Sequence, residues 1–482
     1  MKILLVSSEV APFAKTGGLA DVAGSLPKAL IKLGHEVRIV LPYYQMVKKG
    51  GFETKEIKRG LKVNISNKEI YFDLYETTAS GLDKVYLIKN DAYFDREELY
   101  GTPKGAYEDN AERFTFFCKA VLSINKHLNF KPDIIHNNDW QTGLIPLYLK
   151  SIYKDDVFYK GTKTIFTLHN LAYQGRFWHY DMHIIGLGWE YFHPDGIEFY
   201  GDISFLKAGI VYSELITTVS PTYSKEIQTP EYGHGMEGIL RHRSKDLYGI
   251  LNGIDYDFFN PATDKNIVAN YDINTIEKKA ADKNALQKEH NLPLKDVPIL
   301  SMITRLDDQK GLDLVTAIMD WLMKQDLQFI LLGTGHMKYH LILNEIAQKY
   351  PNKTGINITY DPKLAQRIYA GSDIFIMPSR YEPCGLGQLI SLRYGTIPIV
   401  RQTGGLADTI VNYSENLKTS NGFSFLNYTK DALIATIQNS LGVYRNKKEW
   451  NLLVKQGISQ DFSWDQSACE YVKIYTLALG IK

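Results

Sequence analysis

The sequence contains few cysteines and no apolar run long enough to cross a membrane. Its three cysteines, Cys118, Cys384 and Cys469, are widely separated among 482 residues and form neither a disulfide framework nor a metal-ligand spacing. The apolar run after Met1 is too short for a signal peptide and is followed by Glu9. We therefore expect a cytoplasmic protein from a reducing compartment, with no membrane partner.

An excess of either charge is also absent. Lys and Arg total 55 and Asp and Glu total 54, which gives a net charge of +1. This balance argues against a nucleic-acid partner held by a bulk electrostatic field, although it leaves a local basic cleft open. The histidines form no HExxH or paired-ligand pattern, so we expect no metal ion. Tyrosine is frequent, at 32 residues, and offers flat apolar faces with a polar tip, although coding bias explains this excess equally well.

Short apolar runs rich in β-branched residues alternate with helical patterns, which is typical of βαβ units and parallel sheets. The length favours two or three domains, and the polar run Arg241–Asp246 indicates a boundary. We predict an α/β protein with Rossmann-like domains over 1–245 and 246–460, a cleft between them, and a terminal helix within 461–482. The predicted strands are Lys2–Ser8, His35–Leu41, Ile70–Glu76, Lys84–Lys89, Asp133–Asn137, Lys163–His169, Leu215–Ser220, Tyr248–Leu251, Pro298–Thr304, Leu327–Gly333, Ile356–Tyr360, Ile374–Pro378 and Ile397–Arg401, and the predicted helices include Leu19–Leu33, Asn110–Leu128, Leu312–Lys324, Leu386–Tyr394 and Trp464–Leu479.

A glycine pair, Gly17 and Gly18, follows the first predicted strand within the segment Lys15–Asp21. In open α/β sheets, ligands bind beyond the carboxyl ends of the strands. Paired glycines let a ligand approach the backbone, the following helix offers N–H groups to an anion, and Lys15 adds a positive charge suited to phosphate. The spacing matches neither a dinucleotide fingerprint nor a Walker loop. A purely structural turn is the alternative.

The hexapeptide Thr-Gly-Gly-Leu-Ala-Asp that begins at Thr16 recurs at Thr403–Asp408, again between a predicted strand and a helix. Gln402 precedes this second copy, whereas Lys15 precedes the first. We therefore expect only the first copy to carry its own charge toward a ligand. The second copy is expected to act through backbone N–H groups.

Two cations follow another predicted strand, within the segment Ile303–Gly311. Arg305 offers a bidentate fork and Lys310 a point charge, which together suit a diphosphate. The alternative is a surface ion pair with Asp307 or Asp308.

A carboxylate and a helix start lie together in the segment Pro378–Gly387. Glu382 stands at the end of a predicted strand, where it could accept hydrogen bonds from sugar hydroxyls. The N–H groups of Cys384, Gly385 and Leu386 are predicted to open the next helix and to hold a phosphate. Cys384 itself is better explained as a small buried apolar residue than as a nucleophile.

Strand ends in the first half supply three more candidates. His169 and Asn170 close one predicted strand, and Asp139 closes another. A strand-end His is often a satisfied core residue, and Asp139 could instead cap the helix that starts at Gln141. The position at the carboxyl ends of the strands favours a binding site.

Taken together, these motifs resemble those of the bacterial glycogen synthases and the plant-type starch synthases. The resemblance runs from the first strand to about Asp465 and rests on the motifs Lys15–Asp21, Asn138–Trp140, His169-Asn170, Arg305…Gln309–Gly311, Glu382–Leu386, Thr403–Gly405, Tyr107–Phe114, Ser220–Tyr223, Gly233–Gly238 and Gly249–Asp255.

The resemblance implies a glycosyltransferase-B fold with the terminal helix crossing back to the first domain. It implies ADP-glucose as donor, an α-1,4-glucan such as glycogen, starch or a maltooligosaccharide as acceptor, retention of configuration, and no cofactor. By motif, the catalytic set would be His169, Arg305, Lys310 and Glu382, with Asp139 and Asn170 on the sugar side. The donor-binding set would be Lys15, Gly17, Gly18, Asp21, Asn252, Tyr360, Cys384, Gly385, Leu386, Thr403, Gly404 and Gly405, with Tyr360 stacking on adenine.

Two departures and several rivals bear on this interpretation. Many retaining transferases of this fold carry a second Glu eight positions after the first, but Ile390 stands there, as in the glycogen and starch synthases. Gln402 replaces an Arg of many members. The rivals are a retaining transferase that uses UDP-glucose, a catalytically silent glucan-binding protein and, least favoured, a nicotinamide dehydrogenase, since no dinucleotide fingerprint is present.

Overall fold

A computed structural model describes residues 1–102, 104–414 and 419–481. The chain forms two compact units, one of Met1–Asn252 with Trp464–Lys482 and the other of Gly253–Ser463. Among the described residues, no helix combines the length and the apolar character needed to span a membrane.

The first unit is built on a sheet with the strand order β14-β13-β9-β8-β1-β2-β5-β4-β3. Ile3 to Val6 of β1 are fully buried, because the strand is covered on both faces, and this explains its continuous apolar sequence. The strands are β1 (Lys2–Val6), β2 (Glu36–Pro42), β3 (Thr54–Ile65), β4 (Lys68–Ala79), β5 (Leu82–Lys89), β6 (Gly101–Thr102), β7 (Gly105–Ala106), β8 (Ile134–Asn138), β9 (Lys163–Leu168), β10 (Arg176–Trp178), β11 (Glu198–Phe199), β12 (Asp202–Ser204), β13 (Leu215–Thr218) and β14 (Leu247–Gly249).

The helices of this part of the chain follow the strands in βαβ fashion. They are α1 (Gly18–Lys32), α2 (Gln45–Lys49), α3 (Asp91–Phe94), α4 (Asn110–His127), α5 (Leu144–Lys150), α6 (Met182–Ile185), α7 (Phe205–Tyr212), α8 (Pro221–Glu226) and α9 (Glu237–His242). Strands β10, β12 and β11 form a small antiparallel sheet of their own.

One edge of the sheet in the first unit is antiparallel, beside the parallel strands that the sequence predicted. Strand β4 pairs antiparallel with both β3 and β5. Strand β3 was not predicted, because its charged residues face solvent and its pairing is irregular between Glu56 and Leu61. An edge strand with one solvated face and lysines along it lacks the apolar run of a buried strand.

The predicted start of the second domain also differs from the structure. The strand predicted at Tyr248–Leu251 is β14, which pairs in parallel with β13 and so belongs to the first sheet. The division between the units consequently falls after Asn252. The polar run Arg241–Asp246 is the end of α9 and the turn before β14.

The second unit contains a parallel sheet with the order β17-β16-β15-β18-β19-β20. Apolar clusters cover both of its faces, one under α11, α12, α16 and α17 and the other under α10 and α13. Its strands are β15 (Ile299–Ile303), β16 (Gln328–Leu332), β17 (Thr354–Asn357), β18 (Ile374–Met377), β19 (Ile397–Arg401) and β20 (Phe423–Phe425), and its helices are α10 (Lys279–Glu289), α11 (Leu312–Leu322), α12 (Met337–Lys349), α13 (Pro362–Gly371), α14 (Gly387–Arg393), α15 (Gly404–Thr409), α16 (Lys430–Arg445) and α17 (Lys447–Ile458).

Helix α18 (Trp464–Leu479) follows the second unit in sequence but packs on the first, against α1 and β9. The Tyr475 hydroxyl lies 2.8 Å from His136 Nδ1 inside the first sheet. His136 Nε2 in turn lies 2.6 Å from Thr167 Oγ1. A buried polar chain therefore ties this helix to strands β8 and β9.

Candidate functional site

Sheet order explains why the sequence motifs gather at strand ends. Strands β9, β8 and β1 are neighbours, so the segments after them, with His169, Asp139 and Lys15, leave the same edge of the first sheet. In the second unit β15, β18 and β19 are neighbours in the same way, which gathers the segments that begin at Thr304, Pro378 and Gln402.

The first copy of the hexapeptide is anchored by an acid that the sequence analysis did not identify. The buried Glu9 carboxylate accepts hydrogen bonds from the Thr16 N–H at 2.5 Å, the Thr16 hydroxyl at 2.7 Å and the Gly17 N–H at 3.1 Å. The Tyr100 hydroxyl donates to it at 2.7 Å. Helix α1 begins at Gly18, and a Cβ added to Gly17 or Gly18 would meet nothing within 4 Å. This glycine pair therefore presents open space in front of a helix N-terminus.

Lys15 is held at this helix by a partner from the same motif. Its Nζ lies 2.6 Å from Asp21 Oδ1, and both side chains keep a third or more of their surface exposed. Such an exposed pair contributes less than about 1 kcal/mol. Lys15 can therefore exchange Asp21 for an anionic ligand at little cost.

The second copy of the hexapeptide has a different environment. The Gly405 N–H donates to the carbonyls of Glu382 at 3.2 Å and Pro383 at 3.1 Å. A Cβ on Gly404 would lie 2.0 Å from the Glu382 carbonyl oxygen, and one on Gly405 would lie 2.1 Å from that of Cys384. These glycines allow two backbone segments to pack together. The Gly405 N–H is therefore hydrogen-bonded within the protein, whereas the sequence analysis expected it to face a ligand.

Two predicted catalytic residues, separated by 72 positions, form an ion pair. Lys310 Nζ lies 2.7 and 2.9 Å from the two carboxylate oxygens of Glu382, which also accept a hydrogen bond from the Ser379 hydroxyl at 2.9 Å. The Glu382 side chain is 7% exposed and that of Lys310 is 18% exposed. Gly311, at φ 79°, lets this turn approach Pro378, whose carbonyl oxygen would lie 2.3 Å from an added Cβ. Ser379 was not identified from the sequence.

Arg305 lies before the same turn with its side chain half exposed. Its Nη2 is 3.4 Å from Asp307 Oδ2 and 3.3 Å from Gln309 Oε1. Both are long contacts. The half-exposed guanidinium is therefore within reach of a ligand.

The helix after Glu382 starts later than predicted. Leu386 is the N-cap residue of α14, which begins at Gly387, and Gly385 has φ 73°. The Gln388 side chain donates to the carbonyls of Cys384 at 3.1 Å and Gly385 at 3.0 Å, which fixes the turn. Cys384 is buried, as its interpretation as an apolar residue predicted.

The first unit places His169 and Asp139 in contact. The backbone N–H of His169 donates to Asp139 Oδ1 at 2.8 Å. The imidazole Nε2 of His169 lies 2.9 Å from Asn138 Oδ1, and this partner was not predicted from the sequence. Burial lowers the pKa of His169 to about 3 and raises the pKa of Asp139 to about 7. The imidazole is therefore neutral at physiological pH. Asp139 has φ 54°. Its carboxylate accepts the backbone N–H of the residue directly after β9 and makes no capping hydrogen bond to the turn that follows Asp139.

The remaining candidates are less closely grouped. The Asn170 Oδ1 accepts the Ala172 N–H at 3.1 Å and closes its own turn. Asn252 is buried, and its Oδ1 has no hydrogen-bond partner within the described part of the chain. Tyr360 is 72% exposed and lies beyond β17, which ends at Asn357 and so is shorter than predicted.

We expect Asp139→Asn to stabilise the folded chain above pH 7 by up to about 4 kcal/mol, and by progressively less as the pH falls toward 4. Because burial raises the Asp139 pKa from 3.8 to about 7, the folded state holds a proton that the unfolded state releases in this range, and stability falls as pH rises through it. Urea unfolding of the unmodified protein and of the Asp139→Asn variant, at about pH 5 and about pH 8, measures the difference between their free energies of unfolding. An equal difference at both pH values would mean that Asp139 is ionised in the folded chain throughout.

Comparison with known proteins gives two family matches. Residues 2–242 match the starch synthase catalytic domain, and residues 282–449 match glycosyl transferases group 1. The glycogen synthase of Moorella thermoacetica is 51% identical over 492 residues, which cover 99% of this chain and 97% of that protein. The glycogen synthase of Thermotoga maritima is 50% identical over 487 residues, which cover 100% and 99%.

The fold of this chain is also similar to that of solved structures. The catalytic domain of starch synthase IV from Arabidopsis thaliana, bound to ADP and acarbose, superposes with a TM-score of 0.92 at 32% identity, covering 99% of both chains. A sucrose-phosphate synthase from Thermosynechococcus elongatus has a TM-score of 0.60 at 17% identity over 99% of both chains, which is a likeness of fold alone.

Proposed function

Since the chain belongs to the glycogen and starch synthase family, we propose that it transfers glucose from ADP-glucose to the non-reducing end of an α-1,4-glucan with retention of configuration. It is a glycosyltransferase with the glycosyltransferase-B fold, in which both units are α/β. The donor, the acceptor and the residue roles below are parts of the proposal.

The ion pair between Lys310 and Glu382 is the observation that carries the proposal. A diphosphate leaving group needs a fixed cation, and a glucosyl group needs acceptors for its hydroxyls. The pair supplies both at adjacent strand ends. A glycosidase would instead use two carboxylates that flank the bond, with water as the attacking group.

The proposed donor site divides by chemistry. Arg305, Lys310 and Lys15 bind the diphosphate, while the open backbone at Gly17 and Gly18 allows close approach of the donor. Glu382 and the neutral His169 hold glucosyl hydroxyls. The other donor-side residues are Asp21, which positions Lys15, the exposed Tyr360 for the adenine, and Asn252, Cys384, Gly385, Leu386, Thr403 and Gly404. Gly405 contributes to this side only by packing its backbone against the segment of Glu382, since its N–H is used within the protein.

The proposed reaction is a substitution on one face of the sugar. The bond between C1 and the phosphate oxygen breaks through an oxocarbenium-like state, and the acceptor 4-hydroxyl forms the new bond from the side that the diphosphate leaves. The departing phosphate oxygen takes the acceptor proton. Arg305 and Lys310 stabilise the charge that grows on this phosphate, the kind of preorganised electrostatics that usually dominates catalysis. Asp139 and Asn170 lie on the sugar side. The proposal includes no cofactor or metal.

Nucleotide release tests the proposed donor and acceptor together. The purified chain is incubated with ADP-glucose or UDP-glucose, and with glycogen or maltotriose as acceptor. We expect acceptor-dependent ADP release and at least about tenfold slower UDP release. Faster turnover of UDP-glucose onto a small acceptor would favour a different retaining transferase. Glucan binding without any nucleotide release would identify a silent glucan-binding protein.

A further inference from the structure

Asn138, the last residue of β8, is a buried asparagine whose side chain joins two neighbouring segments of the first unit. Strand β8 lies between β1 and β9 in the sheet. Asn138 Nδ2 donates to the carbonyl of Val6, at the end of β1, at 3.0 Å. Asn138 Oδ1 lies 2.9 Å from Nε2 of His169, the residue directly after β9. One amide therefore connects the end of β1 to a side chain of the proposed sugar site.

The contact with Val6 determines the orientation of this amide. A backbone carbonyl can only accept a hydrogen bond, so the amide nitrogen of Asn138 must face Val6 and the amide oxygen must face His169. The reversed amide would place two acceptors against each other. Because β8 pairs in parallel with β1, the sheet holds the backbone of both Asn138 and Val6. The orientation of the amide is thus set before any ligand binds.

The amide oxygen in turn determines which nitrogen of His169 carries the proton. An amide oxygen can only accept, so Nε2 of the neutral imidazole must be the N–H that donates to it. A neutral imidazole has a single N–H, which leaves Nδ1 with a lone pair. Burial lowers the pKa of His169 to about 3 and so keeps the ring neutral. Nδ1 can therefore accept a hydrogen bond and cannot donate one.

Nδ1 is the ring nitrogen of His169 that remains for a ligand. It has no hydrogen-bond partner within residues 1–102, 104–414 and 419–481. His169 keeps 9% of its surface exposed and follows β9 at the edge of the sheet where the proposed sugar site lies. Its backbone is also fixed, since its N–H donates to Asp139. A hydroxyl that reaches Nδ1 must act as the hydrogen-bond donor.

We propose that Asn138 is a positioning residue that fixes His169 in its Nε2–H tautomer and so makes Nδ1 an acceptor for one hydroxyl of the glucosyl group. That this hydroxyl belongs to the donor sugar rests on the proposed function. Asn138 itself does not touch the substrate in this role. It determines specificity through His169, because a sugar without a proton to donate at that position would place its own lone pairs against that of Nδ1.

NMR of the imidazole nitrogens in the histidine-labelled chain measures the tautomer directly and needs no substrate. The chain contains 12 histidines, and the spectrum of His169→Gln identifies the signals of His169. We expect a protonated Nε2 and an unprotonated Nδ1 in the unmodified chain, and a mixture of both tautomers in Asn138→Leu, which lacks the amide. A protonated Nδ1 in the unmodified chain, or an unchanged tautomer in Asn138→Leu, would overturn the proposal.

Asn137→Leu is the matched control. Asn137 precedes Asn138 in the same strand, is fully buried, and donates to the backbone carbonyls of Ile135 and Ile165 at 3.1 and 3.2 Å. Its side chain points to the opposite face of the sheet. The substitution removes buried hydrogen bonds of the same kind, yet it should leave the tautomer of His169 and the affinity for ADP-glucose unchanged. Equal losses of affinity in the two leucine variants would mean that Asn138 has only a structural role.

Fluorinated donors test the consequence for binding. An ADP-glucose analogue in which fluorine replaces one hydroxyl cannot donate at that position. Among the analogues substituted at each sugar hydroxyl in turn, we expect one to bind the unmodified chain at least about tenfold more weakly than ADP-glucose. This difference should shrink in Asn138→Leu, where Nδ1 can carry the proton. A difference of equal size in the two proteins, or no weakened analogue at all, would reject the proposal.

Asn138→Asp keeps the test valid if Asn138→Leu is unstable. The aspartate retains an oxygen acceptor for the Nε2–H of His169, so the tautomer and the weak binding of the fluorinated analogue should both persist. Loss of either would overturn the proposal. If the unmodified chain turned over no ADP-glucose but showed the expected tautomers, the proposed function would fail and the effect of Asn138 on His169 would stand. Normal turnover with the same tautomer in Asn138→Leu would reject the positioning role alone.

Discussion

Lys310→Ala is expected to lower kcat by about 10²–10³, by analogy with the loss of one oxyanion donor. The Lys310 ammonium is held between the two oxygens of Glu382, so its position is fixed before the donor binds. The charge it stabilises grows as the bond to the phosphate breaks, so its removal should act on kcat more than on KM. Initial rates of ADP release at saturating donor and glycogen give kcat directly.

Loss of the ion pair has a second consequence that the experiment must separate. Without Lys310 the buried Glu382 carboxylate loses its counter-charge, which is costly in itself. The double variant Lys310→Ala/Glu382→Gln removes that charge as well. If the activity of Lys310→Ala were lost only through the stranded carboxylate, the double variant would be more active than the single one. We expect it to be no more active.

Lys338→Ala is the matched control. Lys338 belongs to the same unit and pairs with Asp308 at 2.7 Å, but both side chains are more than half exposed. An exposed pair is worth less than about 1 kcal/mol, so this variant should keep its activity and melting temperature. A near-normal kcat with only a raised KM in Lys310→Ala would contradict the leaving-group role.

Substituting alanine for the second glycine of each hexapeptide, Gly18 or Gly405, should affect the stability of the protein differently. In Gly405→Ala the new methyl group would lie 2.1 Å from the Cys384 carbonyl oxygen, so the backbone must move. We expect a loss of about 3 kcal/mol in the free energy of unfolding, and a loss of turnover because the same segment carries Glu382. In Gly18→Ala the methyl group meets nothing within 4 Å, and alanine suits the first turn of α1.

Gly18→Ala should therefore fold as well as the unmodified chain or slightly better, yet bind ADP about tenfold more weakly, because the methyl group occupies the space through which the donor approaches. Thermal unfolding and ADP titration of both variants make the comparison. Equal destabilisation by the two substitutions would mean that the first copy is also a packing device. Unchanged ADP affinity in a stable Gly18→Ala would remove the first copy from the donor site.

The glycine repeat shows what a sequence can and cannot predict. Both copies were correctly placed between a strand and a helix, since periodicity and glycine pairs are local signals. Their different environments were not visible, because the atoms against Gly404 and Gly405 come from the segment of Glu382, more than twenty positions earlier. The identical hexapeptide therefore faces open space at its first occurrence and packed backbone at its second.

The candidate site shows the same limit. Arg305, Lys310 and Glu382 were identified by residue type at strand ends, but the contact of Lys310 with Glu382 depends on β15 and β18 being neighbours. Strand order is a long-range property that the alternation of strands and helices leaves open. Glu9 could have been found, because it stands just beyond the carboxyl end of β1, where an acid is well placed to receive loop N–H groups. Strand β3 gave no apolar signal, so only its pairing reveals it.

The path of α18 determines when the first unit can be completed during synthesis. Its Tyr475 and Ser467 contact His136 and the Leu251 carbonyl, and all of 253–463 is translated between these partners. Domains generally fold as they leave the ribosome, the amino-terminal one first. Here the nascent first unit must leave the ribosome with the surface around His136 uncovered, and it reaches its final form only after the second unit has been made.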